Sequence, residues 1–179
     1  LAGALRDQFV VDVFQAGAGV SQHMNVNEVL ANRAIEILGG AKGDYTIVHP
    51  NDHVNFGQST NDTYPTAMRV SALLCARDLD PVLEALEAAF DAKGVEFDRV
   101  IKSGRTHLQD AVPVRLGQEF AAYARAIGRG RAVLKDACRH LEEIGLGGTA
   151  AGTGLNAARG YREGAITCLR DLTGLDLRP

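Results

Sequence analysis

The chain has 179 residues, of which 46% are hydrophobic and 23% are charged, and its formal net charge at pH 7 is -3. A chain of this length normally buries a substantial core, so one domain or slightly more is expected. No apolar run reaches the roughly 20 residues of a membrane span, and the arginines form no basic stripe with interleaved aromatic residues. Membrane and nucleic-acid partners are therefore not expected.

The N-terminal segment, LAGALRDQFVVDVFQ, lacks both an initiator Met and the basic-then-apolar order of a secretory signal. We therefore expect the chain to be part of a longer protein. Within this segment QFVVDVF, residues 8–14, is the one candidate strand. Three widely spaced cysteines, Cys75, Cys138 and Cys168, lie in helical patterns further along and are predicted to be buried free thiols. Free thiols are typical of the reducing cytoplasm, which is the predicted location.

Helical periodicity dominates the rest of the chain. The first helix is predicted over residues 25–40, with one apolar face formed by Val26, Val29, Leu30, Ala34, Ile37 and Leu38 and with two glycines at its end. Residues 43–62 are polar, contain Gly and Pro, and lack periodicity, so they are predicted to form an extended loop.

Four further helices complete the prediction. A helix from Pro65 and a second one with Asp80 as N-cap and Pro81 at its first position are expected to lie antiparallel. Residues 112–145 predict one long helix, in which Gly128 and Gly130 indicate close helix packing. A last helix is expected over about residues 157–173. The predicted fold class is all-α, a bundle of long helices that also associates with partner chains.

Ser59, Thr60, Asn61 and Asp62 immediately precede the helix predicted from Pro65. These residue types cap helix N-termini, which is the structural interpretation of the motif. A helix N-terminus with free N–H groups, a positive dipole end and hydroxyl donors also suits a carboxylate, which is the functional interpretation.

Residues 104–120, GRTHLQDAVPVRLGQEF, repeat the arrangement, because Arg105, Thr106, His107 and Gln109 precede Pro113 and a helical run. A single histidine is usually a structural residue. Two polar helix entrances in one chain, however, would suit a small diacid, with His107 as a group that handles a proton or donates a hydrogen bond.

Two other motifs are predicted to be structural. Gly145–Ala150 formally matches a dinucleotide fingerprint, but it follows a long helix rather than a strand, so a tight turn is expected and no nucleotide cofactor is predicted. His49 and His53 are four residues apart, but Pro50 and the Asx residues between them favour a turn over a zinc site. A structural loop or a weak anion site is the expected role, and no metal is predicted.

Four blocks in this order resemble the aspartase/fumarase superfamily of lyases: FQAGAGVSQHMNVNEVLANRA, VHPNDHVNFGQSTNDTYPTA, GRTHLQDAVPVRLGQEF and GGTAAGTGLNA. The resemblance covers nearly the whole chain. It implies an all-helical homotetramer whose central domains pool their long helices, with each active site built from three subunits. On this pattern residues 1–60 are the end of an N-terminal domain with a helix and an extended loop, and residues 61–179 are part of the central helical domain.

Within the superfamily QSTND, THLQD and QAGAG are more similar to the aspartase branch, which eliminates ammonia from L-aspartate to give fumarate. The resemblance implies that Ser59 and Thr60 bind the β-carboxylate, that Asn61 and His107 contact the amino group, and that Thr106 holds the α-carboxylate. It implies no cofactor, although some members respond to divalent cations as activators.

Three features depart from the aspartase pattern. The GSSxMPxKxN block, which carries a serine base and a lysine in the family, is not in this sequence, so the 179-residue chain alone is expected to be inactive. Val20 stands where aspartases generally have a substrate-binding Thr. His49, Asn51 and Asp52 match a second anion site of class II fumarases. Class II fumarate hydratase is therefore the alternative function, and a non-catalytic helical fragment is the alternative of another class.

Overall fold

The structure, a computed structural model, describes residues 3–179 and is mainly helical. Its elements are α1, Val20–Ile37; α2, Thr60–Glu96; β1, Ile101–Thr106; β2, Gln109–Arg115; α3, Leu116–Leu141; and α4, Tyr161–Thr173. A 3-10 turn at Arg6–Gln8 precedes α1, and a π-helical turn at Pro50–Val54 precedes α2. The predicted all-α class is confirmed, and the hairpin β1–β2 is the one sheet in the described part of the chain. No described helix is both long and apolar enough to cross a membrane.

Residue contacts divide the chain into two compact units. The first unit combines the chain up to Ser71 with Glu142–Pro179, and the second unit is Ala72–Leu141. α2 begins in the first unit and ends in the second. The predicted domain boundary after residue 60 concerns a longer protein and stays a prediction.

α1 begins five residues earlier than predicted and ends at Ile37. Its buried stripe has the four-residue spacing of one helix face and consists of His23, Asn27, Ala31 and Ile35. The predicted apolar face is wrong, since Val26, Leu30 and Ile37 are exposed. The physical reason is that His23 hydrogen-bonds to threonines at the start of α2, which turns its own stripe inward.

α2 is one helix of 37 residues, whereas the sequence predicted two antiparallel helices that meet at Asp80 and Pro81. Its length is roughly 55 Å at about 1.5 Å per residue. A proline inside a helix removes one backbone hydrogen bond and often ends the helix. Here Asp80 is not an N-cap, because it lies inside α2. Its carboxylate accepts hydrogen bonds from Arg131 of α3 at 3.1 and 3.2 Å. This ion pair holds α2 against α3 beside the predicted break.

The hairpin occupies the segment in which the sequence predicted a second helix entrance. β1 and β2 are antiparallel, with Ile101 opposite Arg115 and Thr106 opposite Gln109. Pro113 lies within β2, opposite Ser103, where the register becomes irregular. Because both strands of a two-stranded sheet are edge strands, a proline is tolerated there. α3 therefore starts at residue 116 instead of 112 and ends at 141 instead of 145.

Close contacts surround two of the glycines of α3, and the contact is with backbone atoms at Gly117. A β-carbon on Gly117 would overlap the carbonyl oxygen of Gly94, and one on Gly128 would overlap the carboxylate of Glu87. At Gly128 the neighbour is the flexible end of the Glu87 side chain, so the prediction of close helix packing stays a prediction there. It is wrong at Gly130, where no atom lies within 4 Å of the added β-carbon.

Four smaller predictions also need correction. Residues 8–14 form no strand, and Phe14 at their end is almost fully exposed. The predicted loop 43–62 contains the π-helical turn and the first residues of α2. α4 begins at residue 161 and not at 157. The cysteines are free, as predicted, but two of them are exposed and the third is half-buried: Cys75, Cys168 and Cys138.

Candidate active site

Reciprocal capping hydrogen bonds start α2. Ser59 Oγ accepts a hydrogen bond from the backbone N–H of Asn61 at 3.2 Å, and the Asp62 carboxylate accepts one from the backbone N–H of Ser59 at 3.0 Å. This is a capping box, which satisfies N–H groups that have no partner within the helix. The structural interpretation of this motif as a helix cap is confirmed. Its interpretation as a carboxylate site stays a prediction.

Asp62 is a buried carboxylate that joins the start of α2 to the glycine-rich turn. It is 3% exposed, and its Oδ2 accepts hydrogen bonds from the backbone N–H groups of Gly147 at 3.1 Å and Thr149 at 2.8 Å. Burying a charge is costly unless hydrogen bonds replace its hydration, and the backbone donors do so here. The turn predicted at Gly145–Ala150 is confirmed, and two of its N–H groups bind a carboxylate of the protein itself.

His23 of α1 contacts the same helix entrance. It is 8% exposed, and its Nδ1 lies 2.8 Å from Thr60 Oγ1. Its Nε2 lies 3.2 Å from Thr63 Oγ1, one turn further along α2. The hydroxyl of Thr60, one of the predicted substrate-binding groups, is therefore already in contact with an imidazole.

Burial affects the protonation of two groups near this entrance. It lowers the pKa of His23 below its usual value, and this effect exceeds the opposing effects of a hydrogen bond with Gln58 and of the negative charge of Asp62. Burial also raises the pKa of Tyr161, with a further contribution from the Asp62 charge, while a hydrogen bond with Gln58 opposes it. Both shifts favour the neutral forms of these side chains.

A cavity of about 330 Å³ adjoins Ser59 in the first unit. Its lining includes Gln58, Ser59, Thr149 and Ala150. Asn61 donates a hydrogen bond from Nδ2 to the carbonyl oxygen of Ala150 at 2.9 Å, which fixes the orientation of its amide beside this lining. The volume lies in the range of small-molecule sites, which begins at about 300 Å³.

Thr106 and His107 lie in the hairpin of the second unit and are both exposed. His107 and Leu108 form the two-residue turn between β1 and β2, with φ of 49° and 63°. Positive φ at both positions is the pattern of a type I′ turn, which normally uses Asn or Gly. The strained histidine is therefore part of a hairpin turn and not of a helix entrance, which corrects the prediction about its local structure.

His49 caps the π-helical turn. Its Nδ1 accepts hydrogen bonds from the backbone N–H groups of Asn51 and Asp52, both at 3.1 Å. These N–H groups are donors that an anion at the turn would use, and the imidazole takes that position here. The predicted second anion site of His49, Asn51 and Asp52 stays a prediction. Across residues 3–179 no cluster of His, Cys, Asp and Glu side chains could hold a metal ion.

The structure brings together Ser59, Thr60 and Asn61 in the first unit, and Thr106 and His107 in the second. Sequence reasoning missed His23 and treated Asp62 only as a capping residue. The Ser59-to-Asp62 spacing of a capping box could have indicated Asp62. No local pattern indicates His23, because its threonine partners are 37 and 40 residues away.

Comparisons with known proteins find relatives along the whole chain. The pattern of a family described as Lyase matches residues 1–179. An aspartate ammonia-lyase of Bacillus subtilis (strain 168) is 51% identical over 177 residues, which are 99% of this chain and 37% of that protein. A class II fumarate hydratase of Halobacterium salinarum is 52% identical over 179 residues, which are 99% of this chain and 38% of that protein. The crystal structure of a fumarate lyase:delta crystallin from Brucella melitensis bound to cobalt is similar with a TM-score of 0.90 at 54% identity, covering 98% of this chain and 38% of that one.

The chain therefore belongs to this lyase family, the aspartase/fumarase superfamily, as its four motifs predicted. It spans 37% and 38% of the length of the two curated relatives described above. The relatives carry the names of two different lyases at nearly equal identity. The comparisons thus show the family and do not distinguish between these two reactions.

Proposed function

We propose that the longer protein containing this chain eliminates ammonia from L-aspartate to give fumarate, in the cytoplasm, as a homotetramer. The observation that carries this proposal is the fixed entrance of α2. There the Asp62 carboxylate accepts hydrogen bonds from the backbone N–H groups of Ser59, Gly147 and Thr149. The segment that contains Ser59, Thr60 and Asn61 is thereby joined to the glycine-rich turn. Hydroxyl and amide groups that are already held in place lose little entropy when they bind a substrate.

In this proposal Ser59 and Thr60 bind the β-carboxylate of L-aspartate at the positive end of the α2 dipole. Asn61 and His107 contact the amino group, and Thr106 holds the α-carboxylate. Because the Asn61 amide is held through its nitrogen, it offers its oxygen, an acceptor that suits an ammonium group. The groups from the two units would meet through different subunits of the tetramer.

The proposed reaction depends on hydrogen-bond donors that point at the developing negative charge, and it needs no cofactor. Removal of the proton beside the β-carboxylate gives an enolate-like intermediate with two negative charges on that end, and loss of the amino group then forms fumarate. Donors held in position before the reaction stabilise this developing charge. In the family pattern the proton is removed by a serine of a later block.

Class II fumarate hydratase is the second candidate, with cleavage of a carbon–oxygen bond of malate. The Halobacterium salinarum relative and the His49 turn favour it. A non-catalytic role is the candidate of another class. It is favoured by Val20, which starts α1 with an exposed apolar side chain where the aspartase pattern has a hydroxyl.

The test is the ultraviolet absorbance of fumarate formed by the full-length protein from L-aspartate or from malate. We expect formation from L-aspartate. Formation from malate alone would refute the proposal in favour of the second candidate, and formation from neither by a folded protein would favour the non-catalytic role.

Two matched variants test the assignment of Thr60. Thr60→Val is expected to lower kcat/KM roughly 10- to 100-fold, the equivalent of one hydrogen bond to a charged group. Thr167→Val in α4, whose hydroxyl only donates to the carbonyl oxygen of Glu163, is expected to leave kcat/KM unchanged.

A further inference from the structure

Thr149, in the glycine-rich turn, is a buried residue whose hydroxyl has no hydrogen-bond partner among the residues that the structure describes. The residue is 8% exposed, and its hydrogen bond to the protein comes from its backbone N–H, which donates to Asp62 Oδ2 at 2.8 Å. Thr149 also lines the cavity of about 330 Å³ beside Ser59. A buried hydroxyl without a partner costs free energy unless water or a ligand supplies one. The cavity is the space from which such a partner can come.

The backbone of Thr149 has a conformation that favours glycine. Its φ is 57°, and a β-branched residue in this left-handed region is an outlier. Residues 145–154 contain five glycines, each of which would adopt this conformation without strain. Strained residues of this kind are concentrated at binding and catalytic sites, where the side chain has a use that offsets the strain. The conformation of Thr149 therefore agrees with a function of its side chain.

Thr149 lies beside two residues of the candidate site. The backbone N–H of Ser59 donates to Asp62 Oδ1 at 3.0 Å, and that of Thr149 donates to Oδ2 of the same carboxylate. The carbonyl oxygen of Ala150, the next residue in the turn, accepts the hydrogen bond from Asn61 Nδ2 at 2.9 Å. The backbone of Thr149 is thus fixed next to both Ser59 and Asn61.

The hydroxyls at this entrance differ in what they can still donate. Thr60 Oγ1 already has a partner in the protein, because it lies 2.8 Å from His23 Nδ1. Ser59 Oγ accepts a hydrogen bond from the backbone N–H of Asn61, so its own proton is available. The Thr149 hydroxyl is not engaged within residues 3–179, so its proton is available as well. A carboxylate, whose oxygens only accept hydrogen bonds, is the matching ligand for two such donors that line one cavity.

We propose that Thr149 is a further substrate-binding residue, whose hydroxyl donates a hydrogen bond to the carboxylate bound by Ser59. The inference rests on the proposed function of Ser59 as a carboxylate ligand. The negative charge of Asp62 does not prevent this binding, because three backbone N–H donors offset it. A hydroxyl donor on a backbone that is already fixed loses little entropy when it binds a ligand. The substrate carboxylate then receives hydrogen bonds from two elements, α2 and the glycine-rich turn.

The test is calorimetry of succinate binding to the full-length protein. Succinate is a four-carbon dicarboxylate without a leaving group, so no turnover interferes. Thr149→Val removes the hydroxyl and keeps the shape of the side chain. We expect its dissociation constant for succinate to rise roughly 10- to 100-fold, the equivalent of one hydrogen bond to a charged group. Its melting temperature should not fall, because the hydroxyl has no partner in the described part of the protein.

Two further variants separate the hydroxyl from the packing of the side chain. Thr149→Ser keeps the hydroxyl and should bind succinate almost as tightly as the unmodified protein. Thr66→Val is the matched control, because Thr66 is 4% exposed and its hydroxyl donates to the carbonyl oxygen of Asp62 within α2. It should leave the dissociation constant unchanged. Equal loss of affinity in Thr149→Ser and Thr149→Val would assign the effect to the methyl group and overturn the inference.

The same measurements distinguish this inference from the proposed function. If the unmodified protein forms fumarate from L-aspartate and Thr149→Val binds succinate as tightly as it does, the inference on Thr149 is wrong and the proposed function stands. If no fumarate forms from L-aspartate but succinate binds and Thr149→Val weakens it, the proposed reaction is wrong and the carboxylate site with Thr149 stands. No binding of succinate by the folded, unmodified protein would refute the carboxylate site, including the role of Thr149.

Discussion

The Asp62 carboxylate accepts hydrogen bonds from two stretches of backbone, the first turn of α2 and the glycine-rich turn of residues 145–150. At the same entrance His23 contacts two threonine hydroxyls. Thr60 and Asn61 are thus held by neighbours that are distant in sequence. At the scale of residues, the candidate site is a set of donors fixed by a buried carboxylate and a buried imidazole.

Asp62→Asn tests the role of this carboxylate. The amide of Asn has one acceptor oxygen, and its NH2 group would face backbone N–H donors. We expect a loss of about 1–3 kcal/mol in the free energy of unfolding, typical of unsatisfied buried donors, and a marked loss of fumarate formation. Urea denaturation measures the first effect. Asp91→Asn, at an exposed carboxylate of α2, should change neither quantity, and equal stability of the two variants would contradict the proposed role.

At the scale of elements, the second unit keeps α2 continuous by pairing it with α3. Arg131 is 13% exposed at its side chain and is paired with three carboxylates of α2: Asp80, Glu84 and Glu87. Lys135 also contacts Asp80 at 3.2 Å. These pairs lie next to Pro81, where the helix lacks a backbone donor. The ion-pair cluster compensates for a local sequence that by itself favours a helix end.

The Arg131 cluster gives stability a defined pH dependence. The hydrogen bond from Arg131 is the main cause that holds the pKa of Asp80 below its usual value. A depressed folded-state pKa stabilises the fold above the unfolded pKa of about 3.9, and this contribution disappears as the pH falls through the folded value. Arg131→Met should therefore be less stable than the unmodified protein at neutral pH, with a difference that narrows below pH of about 4.

Denaturant titrations at several pH values measure this difference. Arg129→Met removes a neighbouring exposed guanidinium from α3 and is the matched control, with little effect expected at any pH. A difference for Arg131→Met that stays constant down to acid pH would argue against the Asp80 pair as its cause.

The turn of the hairpin stores backbone strain beside the candidate catalytic histidine. Leu108 has φ of 63° and is 91% exposed, so it occupies a conformation that favours glycine and contributes little packing. Leu108→Gly should relieve about 1 kcal/mol of strain and raise the melting temperature. Val112→Gly, at an exposed strand position of the same hairpin, should lower it. An equal decrease in both variants would show that the turn is not strained.

At the scale of the whole molecule, the second unit leaves many apolar side chains uncovered. They include Leu79, Val82, Leu86, Val95 and Val133. Long helices with exposed apolar faces usually bury them in an assembly. The chain spans 38% of the length of the Halobacterium salinarum relative. In the proposed homotetramer these side chains would pack against other subunits.

Val133→Asp tests this assignment, because Val133 is 70% exposed and a buried unpaired charge would oppose association. We expect sedimentation velocity to show a tetramer for the full-length protein and smaller species for this variant. Val133→Thr, similar in shape and uncharged, should stay tetrameric. A tetramer that is unaffected by the aspartate would place the face of Val133 outside the subunit contacts.

The sequence alone determined the helical class, the cap of α2, the turn at residues 145–150 and the family, because these depend on local spacing and on short motifs. It did not determine the continuity of α2 through Pro81, since the stabilising Arg131 lies about 50 residues away, nor the hairpin at His107, which replaced a helix entrance. It also did not indicate the contact of His23 with Thr60. Only the tertiary structure decided the continuity of α2 and the His23 contact, because both depend on groups that the fold brings together across long separations, where pairing energy overrides local preference. The hairpin is a local feature, but its turn residues, His107 and Leu108, are not the Asn and Gly that usually indicate such a turn in a sequence.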